Sequence, residues 1–159
     1  MFHRWAALVL VLALCAMSPK NAAGQTQSSQ PRSTSGGIGH NYPNPFNPRT
    51  RIPFTVGDTT NGCANDRQLH VVTMQIRNVL SQLTAVPVML GPSTAVTSAA
   101  PASMSGQPIS EIKLECGEYT AYWSGNVLDT EREAPSGTYF VLLSIDHGKP
   151  FSSRIYNRK

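Results

Sequence analysis

From residue 50 onward the chain alternates apolar and polar positions in short runs. Ile52, Phe54 and Val56 share one face of the segment 51–56, which predicts a half-buried strand. Pro53 falls on the other face and cannot donate to a ladder, so this strand is expected at a sheet edge. Val72, Met74 and Ile76 repeat the two-residue period within 69–79. A helical stripe through Val72, Ile76, Val79, Leu80 and Leu83 competes, but the β-branched content favours a strand, with 86–90 as its partner. In 118–123 the alternation returns with Tyr119, Ala121 and Trp123 together, and Trp123 is expected in the core between two layers. The segment 138–145 is apolar on both faces, the pattern of a central strand. Asp146 to Pro150 forms a turn with Gly148 free to take positive φ, and 151–157 is the last strand.

Between and before these runs the pattern lapses. Residues 25–39 are rich in Gln, Ser, Thr and Gly with almost no apolar content. Such a segment buries too little surface to offset its ordering entropy, and it is predicted as a flexible linker. Residues 91–110 turn to Pro, Ser, Thr, Ala and Gly and are expected as a long surface loop. Asn41-Tyr42-Pro43-Asn44-Pro45-Phe46-Asn47-Pro48 is different again. Each proline fixes its own φ and turns the preceding residue away from helix, so the segment is expected to run extended. Tyr42 and Phe46 sit in a backbone too stiff to collapse on itself. They are expected to dock a rigid ribbon onto the fold; a bare linker is the competing reading.

The N-terminus sets a compartment. Trp5 to Met17 is an uninterrupted apolar run of 13 residues behind one basic residue, short for a membrane span and suited to a signal-peptide core. Ala22, Ala23 and Gly24 supply small residues for cleavage before Gln25. A lipoprotein signal at Cys15 is the rival, against which Leu14 stands where a small residue is needed. The chain is therefore expected to be exported, in the periplasm in transit and then secreted or at the cell surface. No membrane span is expected in the mature chain. Removing residues 1–24 leaves 11 basic and 9 acidic residues. That balance, with no basic stripe among aromatics, does not favour nucleic acid as a partner. Low charge and abundant Gly, Pro, Ser and Thr describe short strands joined by turns, hence an all-β domain over 40–159.

Cys63 and Cys116 remain after the signal. In an oxidising compartment they can form one bridge, but the sequence does not show whether the two strand starts they precede are adjacent. No CxxC exists, and the nearest histidine in sequence is His70, so no metal site is expected. Tyr139 follows Gly137 at the start of a core strand. Its hydroxyl can turn back to a backbone group as a tyrosine corner, or Tyr139 can be an ordinary core ring. His40, His70 and His147 are isolated in sequence, and Glu111, Glu115 and Glu118 are expected on a solvated face. No catalytic constellation, phosphate-binding glycine loop or cofactor motif is present, so neither enzyme activity nor a cofactor is expected.

Taken in order, the octapeptide, Ile76-Arg77-Asn78-Val79-Leu80-Ser81-Gln82, Trp123-Ser124-Gly125, Ser136-Gly137-Thr138-Tyr139 and a basic last strand resemble the C-terminal sorting domain of the bacterial type IX secretion system. They are also similar to the Ig-like domain related to the flagellar hook-capping protein. The resemblance covers roughly 41–159 apart from the loop. It implies an Ig-like antiparallel β-sandwich of about seven strands whose terminal strands are read by outer-membrane secretion machinery. Pro43, Asn44, Pro45, Gly137, Tyr139, Lys149, Arg154 and Lys159 match the sorting pattern, and a close approach at Gly137 to Tyr139 is expected. A free-standing structural or adhesive module that binds a cell-surface protein is the alternative. Two departures bear on detail. Ser81 stands where the family usually has a glycine of positive φ, so a different turn is expected there. Residues 126–133 lack the family's acidic, glycine-containing loop, so no cation site is carried over.

Overall fold

The computed structural model describes residues 35–64, 66, 68–92, 98–128 and 130–159. The expected signal peptide and residues 25–34 of the expected linker lie outside them. Ser33–Lys159 is one compact unit. Among the described residues there are nine strands: β1 (Gly36–Ile38), β2 (Thr50–Val56), β3 (His70–Asn78), β4 (Leu83–Ala85), β5 (Val88–Leu90), β6 (Ile112–Leu114), β7 (Gly117–Trp123), β8 (Gly137–Ile145) and β9 (Phe151–Asn157). One sheet runs β1-β2-β7-β5; the other runs β4-β3-β8-β9, with β6 also on β3. Every ladder between strands is antiparallel, and the regular structure of the described residues is strand, with two short 3-10 turns and no α-helix, consistent with an all-β class.

The two-residue period translates directly into burial. Ile52, Phe54 and Val56 of β2, Val72, Met74 and Ile76 of β3, and Val141, Leu143 and Ile145 of β8 are at most 2% exposed. They join Trp123, Tyr139 and Ile155 in one core cluster drawn from both sheets. Each fully buried aliphatic or Phe side chain stabilises by roughly 1.5–3 kcal/mol, so the face assignments decide the fold. Strand β8 is central, between β3 and β9. Its second face, Phe140 and Leu142, is only half-buried, a correction to the expectation of burial on both sides.

Other expectations are corrected. Residues 36–38 of the expected linker are β1, paired with β2 from Gly36↔Val56 to Ile38↔Phe54. That pairing makes β2 an inner strand. Its proline is tolerated because its missing donor falls just past the end of β1: the Pro53 carbonyl accepts from the Gly39 N–H, and only the return bond of that last pair is left out. Residues 88–90 pair with β7, not β3; β4 takes the place beside β3. In the expected loop, residues 93–97 lie outside the described residues, but the rest is tied down. Gly106 N–H donates to the Met89 carbonyl and Met89 N–H to Gln107, both at 2.8 Å, and Ile109 N–H donates to Pro87. Ala100 and Ile109 are buried in the core. The β8–β9 turn takes its positive φ at Asp146 (50°) and His147 (57°), not at Gly148, as a two-residue primed turn requires at both central positions. Ser81 does adopt positive φ (61°); the Asn78 carboxamide oxygen accepts from the N–H groups of Leu80 and Gln82 and supports the turn.

Candidate functional site

The octapeptide is fastened to both sheets. Asn41 is buried, and its Nδ2 donates to Thr50 Oγ1 at 2.9 Å and to the Pro43 carbonyl at 3.1 Å. Tyr42 and Arg51 exchange two backbone hydrogen bonds of 2.9 Å, a bridge to β2. Four residues on, Phe46 N–H donates to the Tyr156 carbonyl and Arg158 N–H to the Phe46 carbonyl, a parallel bridge to β9. Between them Asn44 Oδ1 accepts from Tyr156 N–H at 3.3 Å. The peptide bonds before Pro43, Pro45 and Pro48 are cis, and the segment bends rather than running straight.

Only one of the two rings anchors it. Phe46 is 1% exposed and lies 5.2 Å from Trp123, centroid to centroid, and Trp123 lies 5.3 Å from Tyr139 in an edge-on arrangement. These three rings, from the ribbon, β7 and β8, meet in the core. Trp123 satisfies its indole N–H on the Asn126 carbonyl at 2.9 Å. Tyr42 is 42% exposed, with the Arg51 guanidinium 5.9 Å above its ring. Its expected docking role is corrected: its backbone holds and its ring does not. Gly125 explains why a glycine follows the tryptophan. At φ +90° it packs so closely on the Pro48 carbonyl that a Cβ would overlap it.

The last residues close the same end. Asn157 Nδ2, buried, donates to the carbonyls of Ala134 (2.9 Å) and Pro135 (3.2 Å). The Pro135 carbonyl also accepts from the Tyr139 hydroxyl at 2.8 Å, the tyrosine-corner contact. Burial pushes that phenol up, and the Lys159 charge draws it partly back. Lys159 N–H donates to Ser136 Oγ, and its Nζ pairs with Glu133 at 3.0 Å, a surface pair worth little by itself. Thus Asn44, flanked by Pro43 and Pro45, comes together with Gly137, Tyr139 and Lys159. Arg154 is exposed midway along β9, opposite Phe140, and Lys149 is exposed in the turn at the far end of that hairpin.

Gly137 does not serve a close approach to Tyr139. A Cβ there would meet nothing within 4 Å, while its φ of +156° is one side chains rarely adopt. We therefore expect Gly137→Ala and Gly137→Val to lose similar stability, about 1–3 kcal/mol from backbone strain alone. Urea denaturation of both decides this; a loss for valine far beyond that for alanine would restore a packing role.

No protein-family model matches the chain, and no curated protein matches it. Among solved structures it is similar to the Pseudomonas fluorescens alkylpurine DNA glycosylase AlkC bound to DNA containing an abasic site analog, at 17% identity and a TM-score of 0.41. That match covers 79% of this chain and 31% of the glycosylase, so the chain spans about a third of the protein it matches. A likeness of this degree carries no argument about activity.

Two features escaped sequence reasoning. The first is a second tyrosine corner: Tyr119 follows Gly117 as Tyr139 follows Gly137, and its hydroxyl donates to the Glu115 carbonyl, four residues back, at 2.8 Å. Burial, with the Glu115 charge nearby, pushes this phenol up too. The repeated Gly-x-Tyr was a usable signal. The second is His70, 5% exposed, between Asp66 and Asp146. Asp146 lies 76 residues away in sequence, and nothing in the local spacing announces the contact. Cys63 and Cys116 form a disulfide with Cα atoms 5.7 Å apart. Among the described residues no group of three or more His, Cys, Asp or Glu side chains is placed to hold a metal ion, and no helix is long and apolar enough to cross a membrane.

Proposed function

We propose that this chain is an exported, non-catalytic module with an Ig-like β-sandwich, and that its proline ribbon and last strand together form a sorting signal of the type IX kind. The recognising partner is outer-membrane secretion machinery. One observation carries the reading: Asn44 and Phe46 of the octapeptide are hydrogen-bonded to Tyr156 and Arg158 at the chain's end. Motif residues more than a hundred positions apart thereby share one end of the fold, beside Gly137, Tyr139 and Lys159. Arg154 is exposed midway along the same hairpin and Lys149 is exposed in its far turn, so both are accessible to a reader of the last strand. The Cys63–Cys116 bridge accords with an oxidising compartment.

The test is a fusion of Ser33–Lys159, the compact unit, behind a signal peptide and a reporter enzyme in a host with that secretion system. The reporter is expected in the medium or on the cell surface, and deletion of Asn157–Lys159 is expected to keep it in the periplasm. A folded fusion that stays in the periplasm overturns the sorting role and leaves a structural or adhesive surface module.

A further inference from the structure

The second end of the fold holds a buried histidine between two carboxylates. His70 opens β3. Its Nδ1 lies 2.7 Å from Asp146 Oδ2, and its Nε2 lies 3.0 Å from both oxygens of Asp66. A neutral imidazole carries one N–H and one lone pair, and only the imidazolium donates from both nitrogens. With a carboxylate at each nitrogen, loss of the proton sets a lone pair against a carboxylate oxygen, at a ring that is itself buried although Asp146 is exposed. The two carboxylates come from different elements. Asp146 occupies the positive-φ turn between β8 and β9, and its Oδ1 accepts from Val71 N–H at 2.9 Å. Asp66 lies just beyond a strap, 58–64, that begins at Asp58, where Asp58 Oδ1 accepts from Thr60 N–H. The N–H groups of Gly62, Cys63 and Asp66 donate to Thr59, Asp58 and Cys63, and Cys63 is tied to Cys116 at the start of β7.

We propose that Asp66, His70 and Asp146 form a proton-operated clasp, which holds Asp66 and the disulfide strap 58–64 against β3 while His70 is charged and releases them when the proton leaves. The charged groups acting on the histidine are those two carboxylates. Those acting on Asp146 are His70 and the exposed His147, which itself meets Glu111 at 3.3 Å. From the neighbouring strand β6, Lys113 pairs with Val71 and is exposed to solvent. Burial works against the charge on His70, but the hydrogen bonds and charges of the two carboxylates outweigh it and raise its pKa above the ordinary 6.5. Burial likewise opposes ionisation of Asp146, and the bonds from His70 and Val71 overcome it, lowering its pKa below 3.8. The signs then fix the window. The histidine's contribution is complete below pH 6.5 and is lost as pH rises through its raised value. The Asp146 contribution is present above pH 3.8 and is lost as pH falls through its lowered value. The clasp is closed between those limits and opens on the alkaline side.

Nitrogen NMR of the imidazole in the full chain, with amide exchange on the same sample, tests this. Both ring nitrogens of His70 are expected to be protonated at pH 6. Once pH passes the His70 titration, the protection factors of the Gly62, Cys63 and Asp66 amides are expected to fall. In Asp66→Asn, a change at a half-buried position, the His70 titration is expected to move down and the strap's protection to lose its pH dependence. His70→Gln is expected to do the same if it folds. A neutral imidazole at pH 6, unchanged protection across the titration, or an equal fall in Asp66→Asn each overturns the clasp.

Discussion

Replacing Phe46 with alanine is expected to destabilise the domain by about 3–5 kcal/mol, the range for emptying a fully buried aromatic site. Phe46 is 1% exposed and stacked at a tilt on Trp123, so the substitution removes both apolar burial and a ring pair worth about 0.5–1.5 kcal/mol beyond it. The cavity cannot easily collapse, because the backbone on either side is held by proline and by the bridge to β9. Urea denaturation followed by tryptophan fluorescence reads the effect twice: the midpoint falls, and the native-state emission shifts to the red as water reaches Trp123. Tyr42→Ala is the control. Its ring is 42% exposed, and its loss is expected within about 0.5 kcal/mol, as for an ordinary surface position. Equal losses at the two positions would show that the ribbon is held by something other than the Phe46 ring.

That contrast marks what pattern alone could convey. Period-two alternation identified the apolar buried faces of β2, β3 and β7, since a strand's register leaves little freedom once one face must be dry, but it did not mark Thr120 or His70, which are buried as well. The last strand was legible over its full length, 151–157. Alternation does not identify partners, however. Val88–Leu90 carries the same signal whether it joins β3 or β7; Pro87 and the preceding β4 settle the matter by passing the chain from one sheet to the other. Strands of three residues, such as β1 and β6, are too short to show a period. In β1 two of the three are glycines, which have no side chain to place on either face. Ala100 and Ile109 were hidden by dilution: two core residues within a Ser- and Pro-rich stretch do not make a pattern.

At the candidate recognition site the ribbon, Trp123 and Tyr139 were visible because proline and aromatic residues act locally. What remained hidden was joint geometry. Asn157 satisfies the carbonyls of Ala134 and Pro135 while sitting beside Phe46 in a parallel bridge, and no spacing rule links those positions. Asp66 and Asp146 converge on His70 for the same reason: each is an ordinary loop or turn residue until the strands bring them together. A Gly-x-Tyr step, by contrast, specifies its own partner four residues back, which is why the two corners at Tyr119 and Tyr139 share one local form.

Opening the Cys63–Cys116 bridge is expected to have an effect of similar size by a different route. The bridge spans 53 residues, and closing a loop of that length removes unfolded-chain entropy worth about 4 kcal/mol in the chain-entropy model. The enclosed segment contains all of β3, β4, β5 and β6, so the link constrains four of the nine described strands in the unfolded state. Both cysteines are half-buried, and replacing them together with serine leaves no large cavity. The double substitution Cys63→Ser, Cys116→Ser is therefore expected to lose most of that 4 kcal/mol through the unfolded state. The signature is a lower urea midpoint with a steeper dependence on denaturant, because the unlinked chain exposes more surface on unfolding. A fall in midpoint with an unchanged slope would instead place the loss in the native strap, and it would appear together with weakened amide protection at Gly62 and Cys63. Measured on the wild-type chain before and after reduction, the same comparison separates the covalent link from the serine side chains.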